Sequence, residues 1–327
     1  MISLSVLDLV PVREGGTISQ AMADSGQLAA AAEAAGYNRF WVAEHHASPG
    51  IAGGPTAVVL AHIGHCTSTI RIGAGGVMLP NHNPFVIAEQ FGALDALFPG
   101  RVDLGLGRAP GAAGIVAQAL RKDLHRASEY FPQDVVELRA LLTGDLDLPI
   151  VATPGLGAAV QMWMLGSSLF GAQLAARLGL PYAFASHFAP DHLDAALETY
   201  RSQFRPSAAL ERPYAMAAMT VIAADSDEEA ELLATSQDQS FVRLRTGDPG
   251  KLPPPVPFYR DSLPESARAM LQRMDVARAV GSPETVRERM ERFIARTGAD
   301  EIIISGATFD PAARRHSLAL TMQAMKG

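Results

Sequence analysis

Residues 70–107 contain the stretch that best defines the fold, IRIGAGGVMLPNHNPFVIAEQFGALDALFPGRVDLGLG. The apolar runs at 70–78 and 101–107 each predict a strand, and the segment 84–98 predicts a helix between them. A strand, a helix and a second strand in so few residues favour parallel strands joined by a helical crossover. This stretch therefore predicts one repeating unit of an α/β fold.

The same alternation continues along the chain. Further segments read as strands, at 2–9, 39–43, 161–166, 182–186, 214–224 and 300–305. Helical patterns lie between and after them, at 17–36, 55–67, 132–144, 168–178, 190–205, 225–234, 282–298 and 310–325. Eight strands, each followed by a helix, in 327 residues predict a closed (β/α)8 barrel, the TIM barrel, rather than an open doubly wound sheet.

Two regions interrupt this alternation. Residues 108–160, after the fourth strand, are loosely patterned apart from the helix predicted at 132–144. Residues 246–266, after the seventh strand, are rich in proline. Both regions are predicted to be insertions in the barrel. Because no linker-like or low-complexity segment divides the chain, we predict a single domain over residues 1–327.

The composition excludes several classes of partner. Charged residues make up 19% of the chain, below the roughly 25% of a typical globular protein, so much of the surface is expected to be buried within the chain or in a homodimer. A net charge of -7 without a basic stripe argues against nucleic-acid and membrane partners. No segment reads as a signal peptide or membrane span, so we expect a cytoplasmic protein. With Cys66 as the only cysteine, no internal disulfide is possible.

The first candidate site residues follow the second strand, because a barrel of this kind carries its reactive groups in the loops after the strands. Glu44, His45 and His46 stand at that exit. Adjacent side chains of an extended chain point to opposite sides, so at most one histidine faces the pocket easily, where it can move protons near neutral pH. The alternative is a structural histidine bonded to Glu44. No further histidine or carboxylate follows at ligand spacing, so no metal is predicted.

Two other titratable residues lie at strand ends. His187 follows the sixth strand and is either a second pocket residue or a loop histidine whose hydrogen bonds are satisfied. Asp8 ends the first strand and is either a carboxylate at the top of the barrel or a buried capping group. The sequence leaves both alternatives open.

Glycines are concentrated in the third and fourth strands. Gly75 and Gly76 lie inside the third strand, where glycine often marks a bulge or a close approach by another group. They indicate either close packing of a small-residue strand or a flat ligand lying against bare backbone. Gly105 and Gly107 leave one face of the fourth strand bare, and Arg108 follows as either an ion-pair partner or an anion clamp.

The fifth strand passes into a helix through Gly166, Ser167 and Ser168. A helix begins with unpaired N–H groups and a partial positive charge. A glycine and two hydroxyls at that point can bind a phosphate, although a serine there is also an ordinary N-cap. Gly171, one turn into the helix, costs helix stability relative to alanine and makes sense if another group packs closely against it.

Three segments together resemble the bacterial luciferase-like flavin monooxygenase family. They are FWVAEHHASPG (40–50), IRIGAGGVMLPNHNPFVIAEQFGALDALFPGRVDLGLGRAPG (70–111) and LGSSLFGAQLAARLGLPYAFA (165–185). Their order and spacing match over most of residues 1–205. The resemblance implies a TIM barrel that binds FMN, received in reduced form from a separate flavin reductase that binds transiently. It also implies a homodimer.

The same resemblance implies roles for individual residues. The flavin phosphate would be held by Gly166, Ser167, Ser168, the backbone of Phe170 and Gly171, and the side chain of Arg108. Gly75 and Gly76 match the position of a cis peptide bond in the flavin pocket, and His45 aligns with a pocket histidine. The light-emitting members carry a carboxylate and a threonine at the positions of Ser167 and Gly171, and their long mobile loop has no counterpart here. Bioluminescence is therefore not predicted.

The reaction implied by the family is the oxidation of a small organic substrate, such as an aldehyde or ketone, with reduced FMN and oxygen. His45 would hydrogen-bond or donate a proton near the reacting oxygen, with His187 and Asp8 as further candidates. Three alternatives remain: a deazaflavin-dependent hydride-transfer enzyme, a non-catalytic flavin-binding subunit and a metal-dependent barrel hydrolase.

Overall fold

The computed structural model describes residues 2–109, 118–120 and 123–326. Its strands are β1 (Ser3–Asp8), β2 (Arg39–Val42), β3 (Arg71–Met78), β4 (Val102–Gly107), β5 (Gln161–Gly166), β6 (Tyr182–Phe184), β7 (Ala215–Ala223), β8 (Arg278–Gly281) and β9 (Glu301–Ser305). The pairings between these strands are parallel. The order β1-β2-β3-β4-β5-β6-β7-β9 returns to β1, so eight strands close a barrel and the predicted TIM barrel is confirmed.

Helices surround the barrel and cross from one strand to the next. They are α1 (Ile18–Ala35), α2 (Thr56–Cys66), α3 (Pro84–Leu97), α4 (Leu124–Thr143), α5 (Leu169–Leu178), α6 (Leu193–Gln203), α7 (Asp227–Thr246), α8 (Tyr259–Ser262), α9 (Glu265–Met274), α10 (Pro283–Thr297) and α11 (Pro311–Lys326). Within the described ranges, none of them is long and apolar enough to cross a lipid bilayer.

Side chains fill the interior of the barrel, so it is a packed core rather than a channel. Leu7, Trp41, Trp163, Met216 and Ile303 belong to one buried cluster. The two indole rings meet edge to face with their centroids 5.2 Å apart, a favoured aromatic geometry. Strand alternation sends the neighbouring residues outward, into the larger apolar layer between the sheet and the helices.

Local sequence signals set the ends of the helices. The Ser282 hydroxyl accepts a hydrogen bond from the Thr285 N–H at the start of α10, and Gly298 ends that helix in the left-handed conformation, as predicted. Thr17 and Gln20 form a capping box at the start of α1.

The insertions differ from the prediction in detail. Helix α4 begins at Leu124 instead of Pro132, because the Asp123 side chain caps its first turn and Pro132 lies within it. The polar stretch ahead of Pro132 has no apolar periodicity that could have revealed this. Residues 110–117 and 121–122 of the first insertion lie outside the described residues.

After the seventh strand, α7 runs to Thr246 and the proline-rich segment is irregular as far as α8. Helix α9 and strand β8 were not predicted. Strand β8 has four residues and pairs with β7 outside the ring of eight, so it carries too little pattern to be recognised.

A buried ion network closes the amino-terminal end of the barrel. Arg39 donates to Asp103 at 2.8 Å and to both oxygens of Glu301 at 3.2 Å, and the two carboxylates are fully buried. Glu301 also accepts hydrogen bonds from Ser5 and from the Tyr214 hydroxyl. Arg71 also pairs with Asp103, so two arginines compensate the two carboxylates, which is the condition for burying ion pairs without large cost.

Candidate active site at the carboxyl end of the barrel

His45 and His187 follow the carboxyl ends of β2 and β6. Strand alternation places His45 on the interior side, with Trp41 and Ala43. The two histidines interact electrostatically, because a positive charge on His45 lowers the pKa of His187. The structure thus brings together two of the three predicted catalytic residues.

Neither histidine is satisfied by the protein. The Nδ1 atoms of His45 and His187 are buried and have no hydrogen-bond partner among the described residues, so the alternative of a satisfied loop histidine is wrong for His187. Burial lowers the pKa of His45, and burial together with the charge of His45 lowers the pKa of His187 to about 4. Both imidazoles are therefore neutral at neutral pH and can hydrogen-bond to a ligand without carrying charge.

At the turn between β5 and α5, the N-terminus of the helix is not capped by a serine hydroxyl. Ser168 occupies the N-cap position in an extended conformation, but its side chain makes no capping hydrogen bond. The serines at the starts of α7 and α10, Ser226 and Ser282, both do. Ser167 and Ser168 are half-buried, and the first N–H groups of α5 lack the acceptor that a capping serine provides. An ordinary N-cap is therefore the wrong interpretation of Ser168.

Arg108 lies beside that turn. Its guanidinium carbon is 4.1 Å from the centroid of the Phe170 ring, which belongs to the first turn of α5. The side chain is exposed, and no carboxylate pairs with it in the part of the chain that the structure describes. Arg108 is therefore not a partner in a structural ion pair within the described residues. A cation, two serine hydroxyls and helix N–H groups that no serine caps thus lie at this turn in the described part of the chain, as anion binding requires.

The glycines of β3 serve packing within the protein. A Cβ on Gly75 would come within 2.8 Å of Leu7, and one on Gly76 would come within 2.6 Å of the Gly105 carbonyl oxygen. The barrel core and β4 thus account for a close approach on the Cβ side of these glycines, and a flat ligand lying against their backbone stays a prediction. The backbone of both glycines remains half-exposed, and the peptide bond between them is cis, as the resemblance implied.

The close packing expected at Gly171 is present and is made by the protein itself. A Cβ at this position would lie 3.5 Å from Gly166 and 3.4 Å from the Tyr182 ring. The group that packs against the first turn of α5 is thus the end of β5. The Tyr182 hydroxyl donates to the Ser168 carbonyl oxygen at 3.3 Å and helps to fix the turn.

Asp8 is a buried carboxylate bonded within the protein, so the structure favours the capping alternative over a catalytic role. It accepts hydrogen bonds from the Ser25 hydroxyl at 2.5 Å and the Val10 N–H at 3.0 Å, and it pairs with Arg314 at 2.9 Å. Leu7 faces the interior, so alternation sends Asp8 into the layer between the sheet and the helices. Its negative charge pairs with Arg314 and so joins β1 to α11.

Glu44, His46 and His82 form a cluster that the sequence did not reveal. The fully buried Glu44 carboxylate contacts His46 Nε2 at 2.6 Å and His82 Nε2 at 2.9 Å. Burial opposes its ionisation, but these imidazoles and the Met78 N–H hold its pKa below the usual range. The sequence indicates no third ligand close to Glu44 and His46 along the chain. The third residue, His82, comes from the loop after the neighbouring strand β3. The alternation of His45 and His46 was predicted correctly, and the histidine bonded to Glu44 is His46.

A family model described as "Luciferase-like monooxygenase" matches residues 3–301. The chain belongs to this family. It is 48% identical to a luciferase-like monooxygenase of Escherichia coli K12 over 322 residues, which cover 98% of this chain and 96% of the relative. The N-acetyl-S-alkylcysteine monooxygenase of Bacillus subtilis is 34% identical over 76% of this chain and 75% of its own length.

The fold of the chain is also similar to that of a solved structure. The crystal structure of apo-MsnO8 superposes with a TM-score of 0.89 at 34% identity, covering 100% of this chain and 99% of that chain. The family prediction is thereby confirmed, including its oxidoreductase class. The flavin-binding roles of Arg108, Ser168 and their neighbours stay predictions.

Proposed function

We propose that the chain is the oxygenating component of a two-component monooxygenase, which takes reduced FMN from a separate reductase and uses oxygen to oxidise a small organic substrate. The observation that carries the proposal is the unused N-terminus of α5. Its open N–H groups, the uncapped Ser168 hydroxyl and the cation of Arg108 meet at the carboxyl end of the barrel, where barrel enzymes hold their reactive groups.

The residues at this turn fit a flavin phosphate. A phosphate dianion would accept hydrogen bonds from the N–H groups of the first helical turn and from the Ser167 and Ser168 hydroxyls. Arg108 would supply a charge-assisted bond, which is about twice as strong as a neutral one. Since the chain offers no competing carboxylate to Arg108 among the described residues, the cation is available for an external anion.

The neutral side chains of His45 and His187 can hydrogen-bond to the reacting groups of the flavin and the substrate. When bound, reduced FMN supplies the two electrons that allow one oxygen atom to enter the substrate and the other to leave as water. His45 and His187 each offer a buried Nδ1 that can donate to or accept from an oxygen atom. The packed interior of the barrel keeps water from reaching this region through the core.

The substrate class we propose is a small neutral molecule such as an aldehyde or ketone. The uncharged state of His45 and His187 favours hydrogen bonding to a carbonyl oxygen over pairing with an ion. The name of the Bacillus subtilis relative, a monooxygenase of N-acetyl-S-alkylcysteine, supports the oxygenation of a small organic molecule by this scaffold.

The direct test is oxygen incorporation. Chemically reduced FMN and the protein are mixed with ¹⁸O2 and a panel of aldehydes, ketones and thioethers, and products are analysed by mass spectrometry. We expect protein-dependent incorporation of one ¹⁸O atom into at least one substrate. Hydride transfer from a reduced deazaflavin without oxygen, or tight flavin binding with no product at all, would overturn the proposal in favour of the corresponding alternative.

A further inference from the structure

A second potential ligand site lies next to the proposed flavin pocket, on the outer side of the β2 exit. Glu44 Oε1 lies 2.6 Å from His46 Nε2, and both Glu44 oxygens lie 2.9 Å from His82 Nε2. One ligand atom from each of the three residues lies within 4.8 Å of the other two. Two imidazole nitrogens and one carboxylate oxygen therefore converge on one point.

The carboxylate of this cluster is held in place by one backbone N–H and one asparagine side chain. The Met78 N–H donates to Glu44 Oε2 at 3.0 Å, and the Asn81 amide donates to Oε1 at 3.3 Å. Outer hydrogen bonds of this kind fix the orientation of metal ligands and raise their affinity. The Glu44 N–H also donates to the Gly76 carbonyl oxygen at 3.3 Å, so the two strand exits form one unit.

The histidines leave the cluster open on one side. The side chains of His46 and His82 are 24% and 30% exposed, whereas Glu44 is fully buried. An ion could thus enter from solvent and keep a water ligand opposite the buried carboxylate. Two histidines and one glutamate are a donor set that zinc accepts in proteins.

We propose that Glu44, His46 and His82 bind one divalent transition-metal ion, with Zn²⁺ as the probe. Binding replaces the two imidazole–carboxylate hydrogen bonds, and each histidine coordinates through Nε2 while its proton resides on Nδ1. Zinc–ligand bonds of about 2.0–2.1 Å require the two imidazoles to move outward by a fraction of an ångström, which their partial exposure allows. The site depends on no flavin and is independent of the function proposed above.

The test is calorimetric titration of the untagged, chelator-treated protein with Zn²⁺, in the absence of flavin. We expect saturable binding of one ion per chain. The variants His46→Ala and His82→Ala should each bind Zn²⁺ at least about tenfold more weakly, since each loses a direct ligand. Glu44→Gln is a further ligand variant that can still accept from the Met78 N–H.

His316→Ala is the matched control. His316 also contacts a carboxylate, Asp225, at 3.0 Å, but this exposed pair has no third ligand among the described residues. It should bind Zn²⁺ like the unmodified protein. No saturable binding at one ion per chain, or equal affinities in folded His46→Ala, His82→Ala and unmodified protein, would overturn the proposal and leave a purely hydrogen-bonded trio.

Discussion

The two ends of the barrel differ in whether their buried polar groups have partners within the protein. At the amino-terminal end, Arg39, Asp103 and Glu301 are buried and bonded to one another. At the carboxyl end, His45 and His187 each bury an Nδ1 atom that no described residue satisfies. Both sets of residues belong to the same barrel, so the difference arises from which residues stand at the starts of its strands and which at their exits.

This contrast separates stability from function within one fold. A buried polar atom without a partner costs about 1–3 kcal/mol, and native proteins keep such atoms few. The ion network at the amino-terminal end satisfies its polar groups. Among the described residues, the carboxyl end instead combines unsatisfied histidine nitrogens with a serine that caps nothing and an arginine in no ion pair. We infer that a ligand supplies the missing partners at the carboxyl end.

The largest expected effect concerns the amino-terminal end. Arg39→Ala leaves the Glu301 carboxylate buried without its cation and removes one of the two arginines that pair with Asp103, so it should lower the free energy of unfolding by about 3–5 kcal/mol. Urea denaturation measures this change. Arg292→Ala is the control, because Arg292 pairs with Glu288 on the exposed face of α10 and its removal should change little. A small effect of Arg39→Ala would show that the two ends do not differ in this way.

At the carboxyl end, Arg108→Ala should act on binding alone. Loss of a charge-assisted bond to phosphate, worth about 1.5–3 kcal/mol, should weaken FMN binding about tenfold to a hundredfold. Stability should stay nearly unchanged, because Arg108 is exposed and contacts the Phe170 ring without an ion pair in the described residues. Fluorescence titration and urea denaturation measure the two quantities.

Arg177→Ala is the matched control for this experiment. Arg177 lies in the last turn of the same helix, α5, away from the proposed phosphate site. FMN affinity should be unchanged in this variant. Equal losses in the Arg108 and Arg177 variants would indicate a general electrostatic effect and contradict a phosphate site at the start of α5.

Two serines allow a finer comparison. Ser168→Ala should weaken FMN binding a few-fold, in line with about 0.5–1.5 kcal/mol for a neutral hydrogen bond, and should leave stability unchanged because the hydroxyl caps nothing. Ser282→Ala should have the reverse effect, costing about 1 kcal/mol of stability with FMN affinity intact. If Ser168→Ala destabilised the protein as much as Ser282→Ala does, the serine would be an ordinary cap.

A further expected effect is a change in pH dependence. Because the pKa of His187 falls from 6.5 to about 4 on folding, the unfolded chain binds a proton between these values that the folded chain does not. Stability is therefore lost as the pH falls from about 6.5 towards 4. His187→Gln should lose less stability than the unmodified protein between pH 7 and pH 5 in urea denaturation. Parallel losses would mean that His187 is not buried as a neutral side chain.

The barrel itself could be predicted because its signals are local. Alternating apolar runs and helical patterns, with Ser282 and Gly298 as helix boundaries, follow from residues close together in the chain. The side of the strand on which His45 lies also follows from alternation. Because Leu7 faces the interior, alternation also directs the next residue, Asp8, out of the barrel.

The rest of the site depends on contacts between distant residues. Whether a serine at a helix start uses its hydroxyl, as Ser282 does and Ser168 does not, is decided by the surrounding loops. The cluster of Glu44 and His46 with His82 forms because β2 and β3 are neighbours and their exits meet. Glycines in β3 indicated a close approach, but only the structure shows that Leu7 and Gly105 make it.

The central claim is that the phosphate of a flavin binds where β5 passes into α5. The most direct measurement compares the affinities of reduced FMN and reduced riboflavin for the protein under anaerobic conditions, because the two ligands differ only in the phosphate. We expect FMN to bind at least tenfold more tightly, as loss of charge-assisted bonds worth about 1.5–3 kcal/mol implies, and the difference to shrink in Arg108→Ala. Equal affinities for the two flavins, or a preference for FMN that Arg108→Ala leaves intact, would contradict the claim.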